Sequence, residues 1–225
     1  MPCMGRAAFC LKGVRAVSIR WIFFDIGYTL INEDDVWQKR FEEQAAADES
    51  QTLGFTPDAI RREVELSTIS RKPQYRTFLQ KYGLRFSAPY RHELEFPYPE
   101  ADSVLRILSS RYQLGIIANQ TAGLKERLKS WGFLPYFSTI VSSWEWQIMK
   151  PDIRLFEAAL AESGCAASEA VMVGDRLDND ILPAKTLGMH TVWIKQGFGR
   201  FQHPLSAVEM PDYEIHSLSE LLHLF

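Results

Sequence analysis

Cysteine is scarce: Cys3, Cys10 and Cys165 are the only three in 225 residues. They form no C-x-x-C pair and have no histidine at zinc spacing, which excludes a disulfide framework or a structural zinc site as the basis of the fold. An excess of either charge is also missing. Lys and Arg total 25 against 28 Asp and Glu, a net −3, so no overall field draws the chain to nucleic acid or an anionic membrane. No apolar run approaches the roughly 20 residues of a membrane span. Around Ala7 to Leu11 the basic Arg6, Lys12 and Arg15 flank a stretch too short for a signal-peptide core, so residues 1–17 read as an N-terminal extension outside the functional chain. The expectation is a cytoplasmic protein, monomer or homodimer, with neither nucleic acid nor membrane as partner.

What is present is an ordinary globular balance of 46% hydrophobic and 24% charged residues. Short apolar runs without helical period stand at Ile19–Phe24, Leu114–Ala118, Thr139–Val141, Ala170–Val173 and His190–Ile194. They read as buried strands of a parallel sheet. Each of the first four is followed by a helical pattern; after the second to fourth these are Leu124, Leu128 and Trp131 before Gly132; Leu155, Phe156, Ala159 and Leu160; and Ile181, Ala184 and Leu187 before Gly188. Strands alternating with helices predict an α/β fold. The interval 33–97 breaks the alternation with three helical patterns, around Trp37, Phe41 and Gln44, after Thr56-Pro57 with Ile60 and Val64, and at Tyr75, Phe78, Leu79 and Tyr82 before Gly83. It reads as a helical insert in a core made of 18–32 and 98–225. The segment from Gly197 to Pro211 reads as a loop, and Leu218, Leu221 and Leu222 as a closing helix.

Two of the strands end in aspartate, Asp25 and Asp175, and Asp180 stands five positions beyond Asp175. Carboxylates gathered at one sheet edge repel unless a cation lies between them, and an all-oxygen ligand set points to Mg²⁺. Lys150 before Pro151 and Asn119 after the second strand bring a fixed positive charge and an amide donor to the same edge. A nucleophilic carboxylate, a metal, a lysine and an amide suit phosphoryl transfer, where catalysis is mainly positioning and charge neutralisation.

The order Phe24-Asp25-Ile26-Gly27-Tyr28-Thr29-Leu30, Ile117-Ala118-Asn119, Lys150-Pro151 and Val173-Gly174-Asp175 with Asp180 resembles the four motifs of the haloacid dehalogenase-like (HAD) hydrolases, from about Ser18 to the C-terminus. The resemblance implies a three-layer Rossmann-like core with a helical C1-type cap at 33–97. It implies a hydrolase of a small phosphorylated metabolite, with Asp25 as the nucleophile that forms an aspartyl-phosphate. Asp25, the Gly27 carbonyl and Asp175 would bind Mg²⁺, with Asp180 acting through water or by holding Lys150. Lys150 would neutralise charge, Asn119 would contact the phosphoryl group, and Thr29 would support that phosphate site from the loop after the nucleophile.

Two positions depart from the family pattern. Phosphatases of this kind carry a second Asp two residues after the nucleophile, as general acid and base; here it is Gly27. General acid–base catalysis is worth about 10²–10⁴ in rate, so a slow enzyme is implied, and Gly27→Asp is expected to accelerate alkyl phosphate hydrolysis. Ala118 replaces a Ser or Thr that would bond a phosphoryl oxygen; Gln120 or Thr121 is a possible substitute, although Thr121 reads as a helix N-cap. Glu33, Asp34 and Asp35 read as an acidic helix N-terminus, with the alternative that one of them supplies the missing acid. The five histidines read as surface or packing residues, and Trp144 and Trp146 as loop packing. A non-catalytic phosphometabolite-binding protein and a 2-haloacid dehalogenase are the alternatives.

Overall fold

In the computed structural model, which describes residues 18–225, strand β1 (Trp21–Phe24) is buried at all four positions. An apolar strand buried on both faces must lie in the middle of a covered sheet. The chain continues through β2 (Ile31–Asn32), α1 (Asp34–Ala46), α2 (Asp48–Thr52), α3 (Pro57–Ile69), α4 (Gln74–Tyr82), β3 (Phe96–Pro97), α5 (Ala101–Ser109), β4 (Gln113–Ala118) and α6 (Leu124–Ser130). It ends with β5 (Phe137–Ser142), α7 (Ser143–Trp146), α8 (Ile153–Ser163), β6 (Ala170–Gly174), α9 (Leu182–Thr186), β7 (His190–Ile194), β8 (Tyr213–Ile215) and α10 (Leu221–Leu224). The predicted N-terminal extension, with Cys3 and Cys10, lies outside the described residues; Cys165 is a buried free thiol. Among the described residues no helix is long and apolar enough to cross a membrane.

Six strands form one sheet in the order β5-β4-β1-β6-β7-β8, every pairing parallel. Side chains alternate across it. Ile22 and Phe24 of β1 join Ile116, Val171 and Val173 against α5 and α10, whereas Trp21 and Phe23 join Ile117 and Met172 against α8 and α9. Two apolar faces, each under its own helices, make the α/β fold predicted from the alternation, in the three-layer form that the resemblance implies. Strand β8, unforeseen in the sequence, extends the sheet beyond β7 just after the stretch read as loop.

The interval between β2 and β3 folds as four α-helices and a 3-10 turn at His92–Leu94, one α-helix more than the periodicity shows, because the five-residue α2 is too short to repeat a pattern. Strands β2 and β3 pair antiparallel, Ile31 opposite Pro97 and Asn32 opposite Phe96, so the chain leaves the core and returns to it side by side. Thr56 caps α3 by accepting a bond from the Ala59 amide, with Pro57 in the first turn. Trp37, Phe41, Ile60, Val64, Tyr75 and Phe78 form a separate apolar core, completed by Tyr28 and Phe198 from the sheet domain.

Candidate active site

The carboxyl ends of β1, β4 and β6 open into a cavity of about 670 Å³ that the helical insert faces from the other side. Open parallel sheets bind ligands at this edge. Asp25 follows β1 directly, its amide bonded to the carbonyl of Val173 on β6, which fixes the side chain at the rim.

Lys150 is the hub of the site. Its Nζ donates to Asp25 Oδ1 at 2.6 Å, to Asp180 Oδ1 at 2.5 Å and to the carbonyl of Ile117 at 3.0 Å. Burial disfavours its charge, but Asp180 and Asp25 outweigh that and hold the ammonium up at about 12. Asn119 pins the lysine's backbone from both sides: its Oδ1 accepts from the Lys150 amide at 2.8 Å and its Nδ2 donates to the Lys150 carbonyl at 3.0 Å. The second Oδ of Asp180 accepts from the Arg176 amide at 2.9 Å. That approach depends on Gly174, where a Cβ would stand 2.5 Å from the Cβ and Cγ of Asp180. Burial raises the Asp180 carboxyl to about 6 even beside Lys150.

Asp175 has no such partner. It is 4% exposed, and no described residue donates a hydrogen bond to its carboxylate. Burial first, then the charges of Asp180 and Asp25, push its pKa well above the ordinary carboxylate range. Carboxylate oxygens of Asp25, Asp175 and Asp180 lie within 4.8 Å of one another. An orphaned buried carboxylate beside two others fits a hard divalent cation, which takes oxygen ligands only.

Glu33 stands at the acidic start of α1, as its N-cap residue, but it differs from its two neighbours. Asp34 and Asp35 do occupy the first turn of α1 and face solvent, but Glu33 is buried and lines the cavity. Its Oε2 accepts from the indole Nε1 of Trp37 at 3.0 Å, with the Tyr90 hydroxyl close by. A Cβ added to Gly27 would lie 2.8 Å from the Glu33 Cδ and nearer still to Oε1. The carboxyl group therefore occupies the space that a side chain at position 27 would take. Burial lifts its pKa to about 7, against the lowering effect of Tyr90 and Trp37. The signal in the sequence was Trp37, one helical turn after Glu33 and able to turn it inward.

The remaining predicted positions divide. Gly27 lines the cavity, whereas Thr29 is fully buried beneath the loop with an unbonded hydroxyl. Thr121 caps no helix: α6 starts at Leu124 after Gly123, and the Thr121 hydroxyl bonds His92 Nε2 at 2.8 Å. His92 is a wall residue rather than a packing one, its other ring nitrogen 2.9 Å from Glu95. Gln120 lines the cavity with its side-chain oxygen already bonded to Arg127. Near Ala118, the Ser143 hydroxyl reaches the cavity while bonding both the amide and the carbonyl of Gln120. Trp144 stands exposed in the cavity wall.

Fold and site together define an α/β enzyme with its active centre at the carboxyl edge of a parallel sheet. A family model described as Haloacid dehalogenase-like hydrolase matches residues 22–194, and the chain belongs to that family. Pyrophosphatase PpaX of Bacillus velezensis is 30% identical over 220 residues, covering 90% of this chain and 94% of that protein. A glyceraldehyde 3-phosphate phosphatase of Methanocaldococcus jannaschii is 38% identical over 128 residues, 56% of this chain and 55% of that protein, so the match spans little more than half of that relative. The crystal structure of a HAD phosphatase from Thermococcus onnurineus superposes with a TM-score of 0.64 at 26% identity, covering 92% of this chain and 97% of that one.

Proposed function

We propose that the protein is a Mg²⁺-dependent phosphatase of small phosphorylated metabolites, with Asp25 as nucleophile and Glu33 in the place of the acid that position 27 lacks. The observation that carries the reading is Lys150 bridging Asp25 and Asp180 beside the orphaned Asp175. Lys150 engages Asp25 Oδ1, and no described residue bonds Oδ2, which remains available to attack phosphorus. As the phosphorus–oxygen ester bond breaks, the Glu33 carboxyl gives its proton to the departing oxygen. Glu33, now a carboxylate, takes a proton from the water that cleaves the phosphoaspartate, which releases inorganic phosphate and restores Asp25. Asp25, Asp175 and the Gly27 carbonyl would hold Mg²⁺, which when bound offsets the charge on the transferring phosphoryl group. Asp180 and Asn119 act by fixing Lys150, Asn119 keeping one amide hydrogen for a phosphoryl oxygen. Thr29 supports the loop from below, and the four-helix insert serves as the cap.

Mg²⁺-stimulated release of phosphate from p-nitrophenyl and acetyl phosphate, abolished by EDTA and by Asp25→Asn, is the expected result. No turnover across a broad phosphate panel would overturn it in favour of a binding protein, and metal-independent chloride release from 2-chloropropionate in favour of a dehalogenase. Glu33→Gln separates the two steps. It slows alkyl phosphates by about 10²–10⁴. With p-nitrophenyl phosphate, whose leaving group departs unprotonated, the loss falls on the second step and phosphoaspartate accumulates, read by an acid-quenched burst.

A further inference from the structure

Four basic side chains line the cavity, and three are matched. Lys150 is held by Asp25 and Asp180; Arg176 makes two bonds to Asp178, at 2.8 and 2.6 Å; His92 has both ring nitrogens engaged. The fourth, Arg40 on α1, forms no ion pair with any described residue. Its guanidinium carbon lies 3.7 Å from the centre of the Tyr75 ring and 5.4 Å from that of Trp37, and its Nε donates to the Ala88 carbonyl at 3.0 Å. Stacking and the Nε bond orient the plane, the Tyr75 hydroxyl lies within reach of the guanidinium, and no carboxylate of the described residues pairs with it. Glu33 is near enough to favour the charge without pairing with it. The insert residues Trp37, Gln74 and Tyr90, which also line this wall, are uncharged.

A half-buried guanidinium without a counter-ion costs free energy that a ligand can return, and its planar fork matches carboxylate and phosphate oxygens two at a time. We propose that Arg40 recognises a second oxyanion at the end of the substrate remote from the reacting phosphoryl group, which makes the substrates phosphorylated acids or bisphosphates rather than neutral-tailed phosphate esters. This rests on the phosphatase reading for its turnover but not for its binding.

Two pairs of compounds test it: 3-phosphoglycerate against glycerol 3-phosphate, and fructose 1,6-bisphosphate against fructose 6-phosphate. In the wild type the oxyanion-tailed member of at least one pair has the higher kcat/KM, by about tenfold or more, the smallest effect expected of bonds to a charged group. The first pair reports a carboxylate tail and the second a phosphate tail. Arg40→Gln collapses that ratio, mainly through KM, and Arg40→Lys, which keeps the charge without the fork, recovers part of it. No preference in either pair, or equal losses for both members in Arg40→Gln, overturns the proposal. If nothing is hydrolysed, the phosphatase reading fails separately, and calorimetric binding of the same compounds decides: a tenfold weaker grip on the oxyanion-tailed member in Arg40→Gln supports Arg40, and unchanged affinities reject it. Should Arg40→Gln fail to fold by circular dichroism, wild type against Arg40→Lys gives the same two outcomes.

Discussion

Gly27 and Glu33 compete for one space. The sequence alone makes Gly27 look like a loss, to be repaired by Asp. With the Glu33 carboxyl already seated there, an Asp at 27 brings two buried carboxylates into collision. Like charges at that range cannot both ionise, and one side chain must leave its place. Gly27→Asp alone is therefore expected to lower alkyl phosphate turnover, and Gly27→Asp combined with Glu33→Ala to exceed Glu33→Ala by about 10²-fold, as the acid is restored from the other position. Steady-state rates of the three variants check this; a Gly27→Asp enzyme faster than wild type removes Glu33 from the role. Gly174 is constrained in the same way. Gly174→Ala displaces Asp180 and loosens Lys150, so it is expected to cost activity well before it costs fold, seen as a fall in kcat with a near-native far-ultraviolet spectrum.

At the scale of elements, the strands were the legible part. A run such as Ala170–Val173 can only be buried on both faces, and the residue that ends it can only emerge at a sheet edge; Asp25, Asn119 and Asp175 follow from that, whereas Lys150 stands beyond both β5 and α7. Short or irregular pieces carried no such signal. Helix α2 and strand β8 span five and three residues, too few for a period. The π-helical turn Leu177–Ile181, which delivers Asp180 to Lys150, has the composition of an ordinary helix start. Glu33 could not be singled out from Asp34 and Asp35 in the sequence, because those two are exposed helix-start residues and only the packing of Trp37 distinguishes it. The insert has its own apolar core, in which Phe78 is fully buried against Phe55, Tyr75 and Tyr82. Phe78→Ala is expected to destabilise that core by about 3–5 kcal/mol. Hydrogen exchange should show protection falling in α3 and α4 first, with β1, β4 and β6 keeping theirs; uniform loss over both regions would mean that insert and sheet unfold as one unit.

Across the whole molecule, insert and core are joined by several contacts, three of which differ in chemistry. The paired legs β2 and β3 form the covalent connection, and Phe198 packs edge-on against Trp37, Phe41 and Tyr28. The third is polar: Arg71, between α3 and α4, donates to both oxygens of Glu209 and to the carbonyl of His203. Burial alone would raise the Glu209 carboxyl, but the Arg71 bonds and the Leu205 amide outweigh it and hold the group below its ordinary value near 4.5. Between that folded value and 4.5 the unfolded chain binds more protons than the folded one, so stability from this contact is complete above about pH 5 and lost as pH falls through the folded value. Glu209→Gln, which removes the charge but keeps the shape, is expected to lower stability by about 1–3 kcal/mol at pH 7, the range for a hydrogen bond to a charged group. The gap between mutant and wild type should narrow as pH falls through the folded value and vanish below it. Urea titrations from pH 7 downward, through the acid range in which the protein still folds, measure it. A gap that stays constant over that whole range means the pair contributes packing and not charge, and the junction of insert and core then rests on its uncharged contacts, Phe198 and the Gln202–Thr68 bond among them.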